Sequence, residues 1–326
     1  MRYKRLIEVL RDINSYFWNA KVFNGANIRK YSNDEGINPI HFEIQIWIYD
    51  TLKILQDFSS LDLFFKGGTC IQTYLPLEYQ RFSIDLDFNI QSEDRTKEFL
   101  LRKIGELNEE LDNKGLLIPV LNTKYIKLSS DNMVYGEFYP KEYDSYSGTI
   151  TFYRLLMSKV LGKYRVFTYR NDLKKPNRVR GIFNHLLLQV NIRHQPPALK
   201  SELKDIKLRI QKYPEYKTDF KFKCLSLGDL FADKLIAYKN RKAFKDLYDL
   251  GMMARILKDS DFEICRQKIK LFSQSDRLIQ DVVKTIEGSL NDKEYKRYLF
   301  ALPRDVAPII SDRMFYTGLI SVVKDF

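Results

Sequence analysis

The sequence predicts an α+β fold, with a mixed sheet in the first two-thirds and helices in the last third. Three observations carry this. Short segments of alternating apolar and polar residues recur between positions 61 and 193. Helical spacing of apolar residues takes over from Ser226 and runs almost to the end. Within the first of these stretches, Gly67-Gly68 falls where a strand meets a helix. The division this predicts is a core domain over residues 1–222, with N-terminal helices, and a helical domain over 223–326.

The elements follow in order. Residues 1–18 and 40–58 have helical periodicity, with Ile44, Ile46, Trp47, Leu52 and Leu55 supplying most of the second apolar face. Leu61 to Phe65 is a short apolar strand that runs into Lys66-Gly67-Gly68-Thr69. Residues 69–75 read as a short helix, stopped by Pro76. From Ser83 to Ile90 the pattern alternates, with Ile84, Leu86, Phe88 and Ile90 on one face and Ser83, Asp85, Asp87 and Asn89 on the other. A polar-faced helix over 94–113 precedes strands at Leu116–Leu128, Met133–Tyr139 and Gly148–Tyr153. His185 to Arg193 alternates again, with Leu186, Leu188, Val190 and Ile192 toward a core, before Pro196-Pro197 closes it.

Composition narrows the function classes. A chain of 326 residues that is 44% hydrophobic can bury a large core, which argues against a disordered protein. The net charge is +12, and residues 154–223 alone carry 18 basic against 5 acidic side chains. Such a block attracts polyanions, although a solvated lysine-rich surface would read the same way. The aromatic residues within it (Tyr164, Phe167, Tyr169, Tyr213, Tyr216, Phe220, Phe222) suit base stacking or core packing equally. Cys70, Cys224 and Cys265 form neither a disulfide framework nor a metal spacing, and His41, His185 and His194 lack ligand spacing. With no signal-like N-terminus and no apolar run of membrane-spanning length, the expectation is a cytoplasmic protein with no membrane partner.

The chemistry concentrates in two places. Gly67 and Gly68 permit a tight turn whose amides can meet phosphate oxygens, and Thr69 adds a hydroxyl. Asp85 and Asp87, two apart on a strand, project from one face, as chelation of a hard cation such as magnesium requires. Downstream, Ser226 and Asp229 form a capping pair that opens a helix. Lys234 lies on that helix's apolar face, with Arg241 on the same side. A cation there either snorkels to solvent or meets an anion, for which a triphosphate is well suited.

Phe65-Lys66-Gly67-Gly68-Thr69, with Arg81-Phe82-Ser83-Ile84-Asp85-Leu86-Asp87, resembles the AbiEii/AbiGii toxin-type nucleotidyltransferases of the DNA polymerase β superfamily. A second block agrees: Asp229-Leu230-Phe231-Ala232-Asp233-Lys234-Leu235-Ile236-Ala237, Arg241, and Lys245-Asp246-Leu247-Tyr248-Asp249-Leu250. The resemblance implies a polymerase β-like core and magnesium-dependent transfer from a nucleoside triphosphate, with two metals possible. The acceptor is often RNA, in some members the acceptor end of tRNA, and the setting is a toxin with a cognate antitoxin. Carried onto this sequence, Asp85 and Asp87 would bind metal. Lys66, Gly67, Gly68, Thr69, Arg81 and Ser83 would hold or support the phosphates. Lys234 would neutralise triphosphate charge with Arg241 nearby, and Asp246, favoured over Asp249, would belong to the catalytic set.

One departure bears on mechanism. Superfamily members usually place a third carboxylate on a later strand, where this sequence offers Gln189 or Asn191. Either Asp246 serves as base, a metal-bound hydroxide suffices, or activity is reduced. Two other readings stay open: transfer to a protein side chain, and a non-catalytic nucleotide- or RNA-binding protein.

Overall fold

A computed structural model describes residues 24–58, 60–113, 138–158, 160, 183–193, 198–213, 220–271, 275–289, 302–306 and 313–326. The helix expected at 1–18, the strand at Leu116–Leu128, His194 and the core of the basic stretch (161–182) lie outside these residues. The architecture is α+β, with mixed-sheet strands, flanking helices and a helical C-terminal region. It divides into two compact units: one of Met1–Asp34, Asn38–Asp62 and Ile90–Arg193, the other of Glu35–Ile37, Leu63–Asn89 and His194–Phe326.

In the first unit, α1 (Gly25–Glu35) is so polar that sequence periodicity does not mark it. Helix α2 (Pro39–Asp57) starts where expected because Asn38 caps it, its side chain accepting from Ile40 N at 2.9 Å, with Pro39 in the first turn. Its apolar residues, among them Phe42, Ile46, Trp47 and Leu52, are fully buried. Helix α4 (Lys97–Asn113) accompanies an antiparallel set of β3 (Phe138–Asp144), β4 (Thr149–Met157) and β5 (Phe183–Asn191). The β3–β4 turn is tied by Asp144, which accepts from Tyr146 N and Ser147 Oγ, and it ends on Gly148 at φ +67°. Arg154 is fully buried; it donates to Thr51 Oγ1 at 2.8 Å and lies over the Phe138 ring.

In the second unit the strands run β2 (Asp85–Ile90), β1 (Leu63–Lys66), β7 (Lys221–Leu225) and β6 (Ser201–Asp205). β1 is parallel to β7, with Phe65 opposite Cys224, and β6 is antiparallel to β7. Phe65, Phe88 and Phe222 meet in one ring cluster that fixes three of these strands side by side. β6 escapes a periodicity search because it is a polar edge strand, Ser-Glu-Leu-Lys-Asp, with Leu203 68% exposed.

Among the described residues, the C-terminal region holds the helices α5 (Leu227–Arg241), α6 (Phe244–Ala254), α7 (Asp259–Lys270), α8 (Ser275–Ser289) and α9 (Arg313–Lys324). Helix α5 ends on Lys242 in the left-handed conformation, φ 51°. Phe315 stacks on Tyr248, and Phe326 packs against Phe231 and Phe262. No described helix is long and apolar enough to cross a membrane.

Candidate active site

Strand β1 delivers the chain to Gly67, which takes φ +76° and opens the short helix α3 (Gly67–Gln72). The helix begins two residues earlier than periodicity suggested, because the glycines themselves form its first turn. A Cβ at Gly67 would lie 2.0 Å from Asp87 Oδ2; one at Gly68 would lie 2.6 Å from Arg81 Nη2 and 3.1 Å from Ser83 Oγ. Both glycines are therefore required by close approach, and Gly67 by conformation as well. Thr69 is buried and donates to the Asp85 carbonyl at 2.5 Å, so its hydroxyl ties the turn to β2.

Behind the turn sits a buried ionic network. Arg81 donates through Nε and Nη2 to the two oxygens of Asp249, at 2.9 and 2.7 Å. Gln72 bridges the same parts: its Nε2 donates to Asp249 Oδ1 at 3.0 Å, and its Oε1 accepts from Arg81 N at 2.9 Å. From α5, Lys234 donates to Asp246 Oδ1 at 2.7 Å and contacts Asp249 Oδ2 at 2.9 Å. Arg241 completes the set, bonding both Asp246 oxygens at 2.5 and 2.7 Å. Burial alone would push both carboxyls up. For Asp246, Arg241 and Lys234 outweigh burial, and for Asp249, Arg81 and Lys234 do, so both sit below the ordinary carboxylate range.

In front of the network lies a cavity of about 280 Å3, lined by Lys66, Gly67, Gly68, Asp87, Asp233, Lys234 and Arg241 over an apolar floor that includes Ile71 and Leu230. Burial pushes the Lys66 ammonium down, against the pull of Asp233 and Asp87, and pushes the Asp87 carboxyl up, against Lys66. Among the described residues, Lys66 makes no hydrogen bond or ion pair.

Of the residues singled out in the sequence, Lys66, Gly67, Gly68, Asp87, Lys234 and Arg241 line this cavity. Thr69, Arg81, Ser83 and Asp246 are buried. Asp85 is half-buried at the start of β2. Ser226 does cap α5, accepting from Asp229 N at 3.3 Å. Asp229 accepts from Ser226 Oγ in return, and also from the amides of Leu199 and Lys200 and from the fully buried Lys268. Gln189 and Asn191 lie on β5 in the other unit, where Gln189 donates weakly to Thr151 Oγ1 and Asn191 accepts from Arg193 N. Sequence reading did not single out Gln72, Asp233 or Lys268. Asp233 stands beside Lys234 in the second block, but nothing in the spacing of Gln72 or Lys268 marks them.

Among the described residues, no group of three or more histidine, cysteine or acidic side chains is arranged to hold a metal ion. Magnesium does not need one. It keeps several waters and commonly binds through one or two carboxylates plus substrate phosphates, which Asp85 and Asp87 can supply. The close fit of the Asp87 carboxylate against a side-chain-free Gly67 suits that use.

Comparison with known proteins adds the following. The sequence profile of a family described as "Nucleotidyl transferase AbiEii toxin, Type IV TA system" matches residues 52–146 and 162–312. No curated protein matches the chain. Among solved structures, a candidate nucleotidyltransferase from H. pylori aligns at 15% identity and TM-score 0.40, covering 86% of this chain and 93% of that one. MenT4, a nucleotidyltransferase toxin from Mycobacterium tuberculosis, aligns at 17% identity and TM-score 0.43, covering 92% and 90%. These structural likenesses are loose, whereas the profile match spans most of the sequence.

Proposed function

Because the chain belongs to the AbiEii nucleotidyl transferase toxin family, we propose that it transfers a nucleotidyl group from a nucleoside triphosphate to RNA, with magnesium, as the toxin of a toxin–antitoxin pair. The observation that carries this reading is the convergence, on one cavity, of a glycine turn, the Asp87 carboxylate and three cations.

Asp85 and Asp87 would hold magnesium, which when bound would neutralise phosphate charge and lower the pKa of the attacking hydroxyl. Lys66 lines the cavity and would meet phosphate oxygens there. Lys234 spends two donors on Asp246 and Asp249 and keeps its third. Arg241, half-exposed, stands at the edge of the same cavity. Asp246 has its oxygens taken by Arg241 and Lys234, so we assign it to positioning these cations rather than to proton abstraction. The basic stretch over 154–223 would hold the acceptor.

The test is transfer of label from α-labelled nucleoside triphosphates to purified RNA and, separately, to total protein. Label in RNA, abolished by Asp85→Asn or Asp87→Asn in a folded protein, is the expected outcome. Label in protein alone would move the acceptor to a side chain. Binding without transfer would leave a nucleotide-binding module.

A further inference from the structure

Asp233 is a carboxylate on the wall of the cavity with no part in the roles above. It directly precedes Lys234 on α5, and its side chain is 25% exposed, so a ligand can reach it. Its Oδ1 is held 2.9 Å from Lys268 Nζ on α7. Lys268 is fully buried and bonds Asp229 Oδ1 at 2.8 Å as well. Asp229 in turn is anchored by the amides of Leu199 and Lys200 and by Ser226 Oγ. Among the described residues nothing hydrogen-bonds Oδ2 of Asp233. A buried lysine with two carboxylate partners thus holds Asp233 in place on the cavity wall.

An anion in this place does not bind phosphate, since like charges repel and the cavity's cations serve that purpose. What an ion-paired carboxylate takes from a nucleotide is a donor, either a sugar hydroxyl or a base N–H. Position favours the sugar. Asp233, Asp87 and Lys66 all line the one cavity. The phosphate that reacts belongs beside Asp87, and the group bonded directly to that phosphate is the ribose.

We infer that Asp233, aimed by Lys268, accepts hydrogen bonds from the ribose hydroxyls of the bound triphosphate and makes this site select ribonucleotides. The inference rests on the nucleotidyltransferase reading of the same cavity. The experiment is calorimetric binding of the four ribonucleoside triphosphates, with their 2′-deoxy and 3′-deoxy counterparts, in magnesium and without RNA.

The wild type should bind ribonucleotides about tenfold or more tightly than at least one deoxy series, the size of one hydrogen bond to a charged group. Asp233→Asn should weaken ribonucleotide binding toward the deoxy value while leaving deoxy binding nearly unchanged. Lys268→Met should shift the ratio in the same direction. A merely structural Asp233 would weaken all series alike, and that result overturns the inference. So does equal ribo and deoxy binding by the wild type, or a variant that loses discrimination among bases instead of sugars. Sugar selection without label transfer would refute the transfer reading alone. Absence of triphosphate binding would refute both.

Discussion

Gly67 and Asp87 approach so closely that a Cβ at position 67 would lie 2.0 Å from Asp87 Oδ2. Gly67 also holds φ +76°, a conformation that costs other residues about 1–2 kcal/mol. Gly67→Ala must therefore swing the Asp87 carboxylate aside, and a displacement near 1 Å at a reacting centre costs about a hundredfold in rate. Transfer should fall by about that factor or more while circular dichroism stays native. Gly68→Ala meets only side-chain ends, Arg81 Nη2 and Ser83 Oγ, and should be the milder variant. Near-native transfer by Gly67→Ala would remove Asp87 from the reaction.

Lys234 is bonded to Asp246 and Asp249 and also lines the cavity, so a structural role and the proposed phosphate contact can be told apart. Loss of its phosphate contact should weaken triphosphate binding by about ten- to a hundredfold, the equivalent of roughly 1.5–3 kcal/mol. Loss of its ion pairs should lower stability too, though Arg241 and Arg81 still partner the carboxylates. Lys234→Met keeps the packed stem and removes both charge effects. Calorimetric binding and urea unfolding on this variant read the two separately. Unchanged triphosphate affinity with lowered stability would make Lys234 a structural cation.

Asp249 predicts the acid behaviour of the fold. It accepts from Gln72, Arg81 and Lys234, and Asp246 accepts from Lys234 and Arg241, so both titrate below the unfolded value of 3.8. Near that value the unfolded chain takes up protons that the folded chain refuses, so stability falls as pH falls through this window and is fully present above it. Asp249→Asn should lower stability at neutral pH and flatten the decline between about pH 5 and pH 2. Urea midpoints measured across that range decide it, and parallel curves for the two proteins would refute the assignment.

The parts of the site that were legible in the sequence are those set by local rules. The turn at Gly67-Gly68, the strand alternation that carries Asp85 and Asp87, and the side of α5 that carries Lys234 and Arg241 follow from period, spacing and chain conformation. What was illegible depends on partners far along the chain. Gln72 reaches Asp249 across 177 positions, and Lys268 reaches Asp229 across 39. Neither side chain differs locally from an ordinary surface residue. The same reason explains β6 and α1, whose polar sequences acquire regular structure from tertiary pairing and packing rather than from an apolar stripe.

The acceptor prediction rests on charge. The excess of positive charge is confined to residues 154–223, with aromatic residues interleaved, and a single nucleotide needs only the few cations of the cavity. On the reading that RNA is the acceptor, its affinity should fall with a log–log salt slope of about −0.7 per phosphate neutralised. Lys174, Lys175, Arg178 and Arg180, which lie outside the described residues, are the densest part of this stretch. Replacing them together by glutamate should flatten the slope and reduce transfer to RNA. Triphosphate binding should barely change, because the cations found along the cavity are Lys66, Lys234 and Arg241. Salt titrations of RNA binding on both proteins decide the matter. Equal slopes, or no RNA binding by the wild type at low salt, would reject this stretch as the acceptor surface and leave the protein side chain as the acceptor to pursue.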